Sequence, residues 1–233
     1  RVGPLPANCL MLSLLDDIAD RLAHDPDALA LLALGSAGLR CERFDEHSDL
    51  DFFVIANQKE KFLADLRWLG HVQWSHRDTP DGCKALVAGT FCEFAVFRPE
   101  EMPSVKYAAG RVVWQRNELA LDDQHLPPAA QRDWLVKEVL SNLYVGLHRW
   151  LRGERLSALR MVQGEALDNL LRIYAPDDPF APSRRAESAG LPLEAMAAGY
   201  SATPAAARAI LDHLPAGGGV MRSEVAALLQ RAL

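Results

Sequence analysis

Residues 29–56 read LALLALGSAGLRCERFDEHSDLDFFVIA, and this stretch decides the fold. It begins with a short apolar run, residues 29–34, which Gly35 and Ser36 end. A continuous apolar run of this length, bounded by turn residues, favours a buried strand over a helix. A second apolar run, Leu50–Ala56, is rich in Phe, Val and Ile, which are typical of strands. We therefore predict two buried strands joined by a polar loop.

Two carboxylates interrupt the second apolar run. Asp49 stands at its start and Asp51 one residue inside it. Because side chains alternate across a strand, both carboxylates lie on one face, while Leu50 and Phe52 lie on the other. Two like charges side by side repel each other, and burying either one unpaired is costly, so a bound cation explains such a pair. Hard oxygen ligands favour Mg²⁺ or Mn²⁺, which we predict here.

The turn after the first strand predicts an anion site. Gly35 lets a phosphate approach the backbone closely, and Ser36 offers both a hydroxyl and an N–H. A short helix that begins near Ala37 would add a favourable field at its N-terminus. In the loop that follows, Arg40 can reach a bound phosphate, but pairing with its acidic neighbours is at least an equal alternative.

A third carboxylate, Glu93, is the single charge of the apolar run at residues 91–97. Its neighbours of the same parity are Phe91, Ala95 and Phe97. An exposed face that carries two Phe side chains is unfavourable, and buried charges are paired or bound to metal, so we expect Glu93 to bind a cation. The alternative is a solvated position on an edge strand.

A family resemblance rests on these residues. The pair GS at residues 35–36, a loop, and DLDF at residues 49–52 resemble the signature of the DNA polymerase β-type nucleotidyltransferase superfamily, and in particular its aminoglycoside and lincosamide nucleotidyltransferases. The resemblance implies that the Gly-Ser pair holds a nucleoside triphosphate and that the two aspartates bind two divalent ions. It implies that Glu93 completes the site. The alternative is a plain turn beside a strand-start cap and an exposed aspartate.

The resemblance also implies a reaction. A nucleoside monophosphate, AMP if the co-substrate is ATP, would be transferred to a hydroxyl of a small acceptor such as an aminoglycoside or lincosamide antibiotic, which implies antibiotic resistance. The general base is left open between Glu93, Glu138 and Glu165. Alternative functions are a non-catalytic or antitoxin-like nucleotide-binding module and a transferase that acts on a protein hydroxyl. The sequence leaves the acceptor, the nucleotide and a homodimer open.

The surrounding pattern predicts an α+β fold, in which an N-terminal mixed β-sheet with flanking helices, the nucleotidyltransferase fold, precedes a C-terminal helical bundle. Amphipathic helices are predicted at residues 10–23 and 58–69, and further strands at residues 72–76, 83–88 and 91–97. The break at Pro127 and Pro128 divides the chain into a catalytic domain, residues 1–126, and a helical domain, residues 127–233.

The helical half offers two further candidate residues. Residues 129–152 form an amphipathic helix whose polar stripe includes Lys137 and Tyr144. In the resembled family, a lysine or tyrosine on this helix often reaches the triphosphate, which makes both residues candidates. A solvated helix face is the alternative. Later helices are predicted at residues 154–174, 192–198, 203–214 and 222–233, with Thr203 as an N-cap.

Composition limits the classes of partner. The net charge of −6 argues against nucleic acid or a membrane surface as a partner, because binders of either normally carry a basic field. The four cysteines lack the spacing of a zinc site. No apolar run approaches the length of a transmembrane span, and reduced thiols in the cytoplasm are the expected state. The chain begins with Arg1, so an upstream targeting segment is left open.

Overall fold

The computed structural model describes residues 7–39, 44–45, 47–174 and 180–233, and it describes side chains from residue 12 onwards. The chain divides into two compact units, Arg1–Leu126 and Pro127–Leu233. Each unit is described by itself below. None of the described helices is both long enough and apolar enough to cross a membrane.

The first unit contains a six-stranded sheet in the order β3-β4-β5-β2-β1-β6. The strands β2 and β5 run parallel, and the other neighbouring pairs are antiparallel. This mixed sheet confirms the predicted fold class. The regular elements in chain order are α1 (Ala7–Ala23), β1 (Ala28–Ala33), β2 (Leu50–Ala56), α2 (Lys59–Ala64), β3 (Val72–His76), β4 (Gly82–Val87), β5 (Thr90–Phe97) and β6 (Arg111–Gln115).

The two faces of the sheet have different surroundings. One face, the helix face, packs on α1 and α2, and Leu50, Phe52 and Val54 of β2 are fully buried there. The opposite face carries the alternate residues of β2 and is covered beside Ile55 by Met102 and Tyr107. We call this second side of the sheet the site face, because Asp51 belongs to it.

The helix that was predicted over residues 58–69 is interrupted. At Asp65 the backbone becomes extended, with φ −130° and ψ 108°, and the Asp65 side chain accepts a hydrogen bond from the backbone N–H of Arg67. A short 3-10 helix, Leu66–Leu69, follows and ends at Gly70. Aspartate competes with helical hydrogen bonding in this way, so the periodicity of the apolar residues was right while the continuity was wrong.

The second unit is helical, as predicted. Its helices are α3 (Arg132–Leu151), α4 (Arg155–Leu159), α5 (Leu167–Tyr174), α6 (Leu193–Met196), α7 (Thr203–His213) and α8 (Gly219–Ala232). A π-helical segment, Arg160–Ala166, joins α4 to α5. The apolar stripe of α3 lies in a separate core, in which Leu140, Leu143 and Leu147 are fully buried.

The π-helical segment replaces part of the predicted helix at residues 154–174 and holds α7. Its Gln163 donates to the hydroxyl of Thr203 at 3.0 Å and to the carbonyl of Gly199 at 2.8 Å. Thr203 is fully buried and lies within the first turn of α7, whose N-cap is Ala202. The prediction of Thr203 as the N-cap is therefore wrong by one residue, because its hydroxyl serves this buried contact.

Candidate active site

The register of β2 and β5 brings two of the predicted site carboxylates together. Asp51 is the direct partner of Glu93 in the parallel pairing. Register partners on neighbouring strands project from the same face, and neighbouring strands lie about 4.8 Å apart. Asp51 and Glu93 therefore stand side by side on the site face, within the reach of one bound ion.

The predicted phosphate turn lies directly against Asp51. The backbone N–H of Leu34 donates to the carbonyl of Asp51 at 2.8 Å. Gly35 follows with φ +55°, and a Cβ at this position would lie 3.1 Å from Asp51 Oδ2. Both the left-handed backbone and the close carboxylate favour glycine here. The turn and the carboxylate row thus form one continuous surface.

A second set of contacts braces the same turn. Residues 35–39 form a turn, so the condition of a helix that begins near Ala37 is not met. The guanidinium of Arg111, on β6, donates to the carbonyl of Ala37 at 2.9 Å. A Cβ on Gly38 would lie 1.9 Å from the carbonyl oxygen of Ala109, so only glycine fits there. The N–H groups of Gly38 and Leu39 donate to the carbonyls of Leu34 and Ala109 at 2.9 Å, so the groups of the turn that could bind an anion are the earlier N–H groups and the hydroxyl of Ser36.

Asp49 is exposed at the entrance of β2, one residue before the strand begins. Its charge and that of Asp51 both act on Cys92, the partner of Leu50 on β5. Burial raises the pKa of the Cys92 thiol to about 12, and the two carboxylates contribute to the rise. The thiol is therefore protonated at neutral pH, and it faces the helix side of the sheet, so it is not a nucleophile of this site.

Glu93 lies on a central strand, not on an edge, and its side chain is 50% exposed. Its partner on β4 is Lys84, whose Nζ lies 3.7 Å from Glu93 Oε1 and 3.4 Å from Asp78 Oδ2. The charge of Glu93 raises the pKa of Lys84, so the lysine stays protonated. Sequence reasoning missed Lys84, because the pairing of β4 with β5 is needed to place it beside Glu93.

The carboxylates fit Mg²⁺ or Mn²⁺ in chemical kind and in their shared face. Asp49, Asp51 and Glu93 are the residues that would hold such ions, since each offers hard oxygen donors. Within the described ranges, no three His, Cys, Asp or Glu side chains form a group that could hold an ion as they stand.

The other predicted binding residues differ in what surrounds them. Arg40 lies outside the described residues. Lys137, in the second unit, forms an exposed ion pair with Asp133 one turn earlier, at 2.6 Å. The ring of Tyr144 packs edge-on against His148, with 4.7 Å between ring centroids. The roles of these residues toward a triphosphate stay predictions.

The three candidate general bases have different contacts. Glu93 belongs to the same sheet as Asp51. Glu138 and Glu165 belong to the helical unit, where Glu165 accepts a hydrogen bond from Asn142 at 3.3 Å. Glu93 is thus the candidate whose position beside Asp51 is fixed by strand pairing.

Comparison with known proteins gives structural neighbours only. No family model and no curated protein matches the chain. The chain is similar to the crystal structure of a nucleotidyltransferase-like protein from Exiguobacterium sibiricum, at 15% identity and a TM-score of 0.38, with 95% of this chain and 75% of that chain covered. It is also similar to an aminoglycoside 6-adenyltransferase from Bacillus subtilis, at 13% identity and a TM-score of 0.33, with 98% and 99% covered.

A third structural neighbour is a spectinomycin adenyltransferase from Enterococcus faecialis, at 10% identity and a TM-score of 0.34, with 96% of this chain and 98% of that chain covered. The names of these neighbours are those of nucleotidyltransferases or of a nucleotidyltransferase-like protein. Their TM-scores lie below 0.5, so the function of this chain is inferred from the residues of the site.

Proposed function

We propose that this chain is a metal-dependent nucleotidyltransferase that moves a nucleoside monophosphate, with AMP from ATP as the first choice, to a hydroxyl of a small acceptor. The observation that carries the proposal is the pairing of Asp51 with Glu93 beside the Gly35 turn, where a Cβ would lie 3.1 Å from Asp51 Oδ2. Carboxylates in a row next to a glycine turn that carries the Ser36 hydroxyl suit a nucleoside triphosphate that carries divalent cations.

The roles follow from the chemistry of each group. The N–H groups of the turn and the Ser36 hydroxyl bind phosphate oxygens, and the carboxylates hold the ions. Divalent cations supply charge neutralisation and a more acidic acceptor hydroxyl. Glu93 takes the hydroxyl proton while the acceptor oxygen bonds to the α-phosphorus and the bond from that phosphorus to the pyrophosphate oxygen breaks.

The test is metal-dependent release of pyrophosphate. The purified chain would be incubated with each of the four ribonucleoside triphosphates, Mg²⁺ or Mn²⁺, and a panel of aminoglycosides and lincosamides. We expect release with at least one acceptor and a loss of about 10³-fold or more in Asp51→Asn, because a group that positions the reacting phosphate contributes several kcal/mol. Asp17→Asn, an exposed substitution on α1, is the matched control.

Two results would redirect the proposal. Binding of ATP with Mg²⁺ but no pyrophosphate release with any acceptor would favour a non-catalytic nucleotide-binding module. Label from ATP that appears on a protein in a cell extract would identify a protein hydroxyl as the acceptor. If an antibiotic is the acceptor, cells that express the chain should tolerate that antibiotic at higher concentration than cells that express Asp51→Asn.

A further inference from the structure

The site face continues beyond the carboxylates as a set of aligned rows. In the first row, Asp51 pairs with Glu93, Glu93 with Lys84 and Lys84 with His76, so that four neighbouring strands each contribute one side chain. Because these residues are register partners, all four side chains project from the site face. The row leads from the aspartates across β5 and β4 to the edge strand β3.

The second row is apolar and exposed. Phe91 pairs with Leu86, and Leu86 pairs with Trp74. Each of the three precedes or follows a member of the first row by two residues, so they share its face. Phe91 is 40% exposed and Trp74 is 50% exposed. The Trp74 ring lies 6.2 Å from the ring of His76, centroid to centroid.

We propose that Phe91, Leu86 and Trp74, the aromatic platform, bind the acceptor of the transfer reaction. The ring of the acceptor would lie on the two aromatic side chains, and its hydroxyl would point to Glu93. This inference rests on the proposed function and adds a binding surface for the second substrate. Stacking on an exposed aromatic ring depends little on the substituents of the stacked ring, so the platform suits a ring compound.

Position decides between the two substrates. The Gly35 turn lies on the β1 side of Asp51, whereas the platform lies on the opposite side of Asp51, on β5, β4 and β3. A triphosphate at the turn therefore leaves the platform for the molecule it reacts with. Glu93 shares β5 with Phe91 and is the register partner of Asp51, so it is close to both substrates, as a base for the acceptor hydroxyl must be.

Charge selects the class of acceptor. On β4, Lys84 Nζ lies 3.4 Å from Asp78 Oδ2, and a Cβ on Gly82 would lie 3.2 Å from Asp78 Oδ1, so Asp78 lies over the start of β4, on the side of Lys84 away from Leu86. Phe91, Leu86 and Trp74 themselves carry no charge, so the platform offers no carboxylate to pair with a cationic substrate. The platform thus fits a hydroxylated ring compound of low charge, such as a lincosamide or a nucleoside, better than a polycationic aminoglycoside.

The test monitors the indole N–H signals of the five tryptophans by ¹H–¹⁵N NMR of the full chain. The signal that is missing in Trp74→Phe is that of Trp74. On titration with lincomycin or adenosine we expect this signal to shift saturably, with kanamycin binding at least tenfold more weakly. Trp74→Ala and Phe91→Ala should each weaken the binding of the low-charge probe at least tenfold and leave ATP affinity unchanged. Trp134→Ala, also 50% exposed but on α3, is the matched control.

Each contrary result has a defined meaning. No saturable shift of the Trp74 signal with lincomycin or adenosine overturns the platform, and so does a dimer in sedimentation that Trp74→Ala dissolves. Tighter binding of kanamycin overturns the assigned charge class. Binding at the platform without pyrophosphate release would leave the platform in place and remove the transferase. Turnover that is unchanged in Trp74→Ala and Phe91→Ala would leave the transferase in place and remove the platform.

Discussion

Gly35 and Gly89 both have a left-handed backbone, but they differ in the space around the α-carbon. Gly35 and Gly89 have φ of +55° and +84°, but only at Gly35 would a Cβ meet another group, Asp51 Oδ2 at 3.1 Å. We predict that Gly35→Ala and Gly89→Ala each lower the free energy of unfolding by about 1–2 kcal/mol, the cost of a left-handed alanine. Only Gly35→Ala should also lower the rate of pyrophosphate release, by about tenfold or more, because it displaces a carboxylate that must be positioned.

Chemical denaturation and turnover assays on both variants check this prediction. Equal losses of activity in Gly35→Ala and Gly89→Ala would show that backbone strain alone accounts for the effect and that the contact with Asp51 does not matter.

Glu101 gives a prediction for the dependence of stability on pH. It accepts a hydrogen bond from the backbone N–H of Arg98 at 2.7 Å and binds Lys59, which is 6% exposed, at 3.0 Å. The Arg98 N–H lowers the pKa of Glu101 below its ordinary value of 4.5, and Lys59 adds to the shift. The contribution of ionised Glu101 to the free energy of unfolding is therefore complete above pH 4.5. It is lost as the pH falls from there through the lower pKa of the folded state.

We expect Glu101→Gln to unfold more easily at pH 7 and to lose less stability than the parent chain on acidification below pH 4.5. Urea denaturation at several pH values measures this, with Glu100→Gln, an exposed neighbour, as the control. If the free energy of unfolding of Glu101→Gln and of the parent chain falls equally on acidification, the role of Glu101 is contradicted.

At the scale of elements, β6 contributes to the site through one side chain. Arg111 holds the carbonyl of Ala37 at 2.9 Å, and its buried Nε has no hydrogen-bond partner in the described part of the chain. Arg116, the residue after β6, instead donates hydrogen bonds to the carbonyls of Ala23, Ala28 and Asp25, away from the turn. The two arginines form a matched pair for testing the turn.

We predict that Arg111→Met weakens ATP binding about tenfold, the equivalent of one hydrogen bond from a charged group. Arg116→Met should lower the free energy of unfolding without changing ATP affinity, because its partners precede β1 or begin it. Isothermal titration with ATP and Mg²⁺, together with urea denaturation, separates the two effects. Unchanged ATP affinity in Arg111→Met would mean that the turn does not need this support.

Local sequence predicted the elements of the site better than it predicted their neighbours. The runs of Phe, Val and Ile predicted the bounds of β2, Leu50–Ala56, and those of β5 to within one residue. The alternation of side chains correctly predicted that Asp51 and Phe52 lie on different faces of the sheet. The pairing partners Lys84 and Trp74 carry no such local signal, because register between strands depends on contacts distant in sequence. The contact of Arg111 with the turn likewise depends on the pairing of β6 with β1, which local sequence does not predict.

The helical unit shows the same limit. Apolar periodicity predicted α3 and the later helices, but the π-helical segment, Arg160–Ala166, was predicted as ordinary helix. An insertion of this kind shifts the hydrogen-bond ladder without changing which residues are apolar. Its cause is tertiary, since Gln163 within it binds the loop at Gly199 and the start of α7 at Thr203.

At the scale of the whole molecule, the segment that contains the boundary between the two units can be tested directly. Residues 116–131 form neither helix nor strand apart from an isolated bridge between Tyr107 and His125, and most of them are exposed. Such segments are preferred sites of proteolysis. We predict that brief digestion with proteinase K cuts between residues 116 and 131 and yields two resistant fragments, identified by mass spectrometry. First cuts inside β1–β5 or α3 would contradict the division of the chain.

The position of β6 also has a consequence for synthesis on the ribosome. β1 is made early, and β2 covers one of its edges soon afterwards, but the other edge pairs with Arg111–Gln115, which is made much later. During that interval the nascent chain presents the unpaired edge of an apolar strand, a known template for aggregation. We expect chaperones that capture emerging chains to hold this protein until β6 has left the exit tunnel, and a stalled chain that ends before Arg111 to be insoluble.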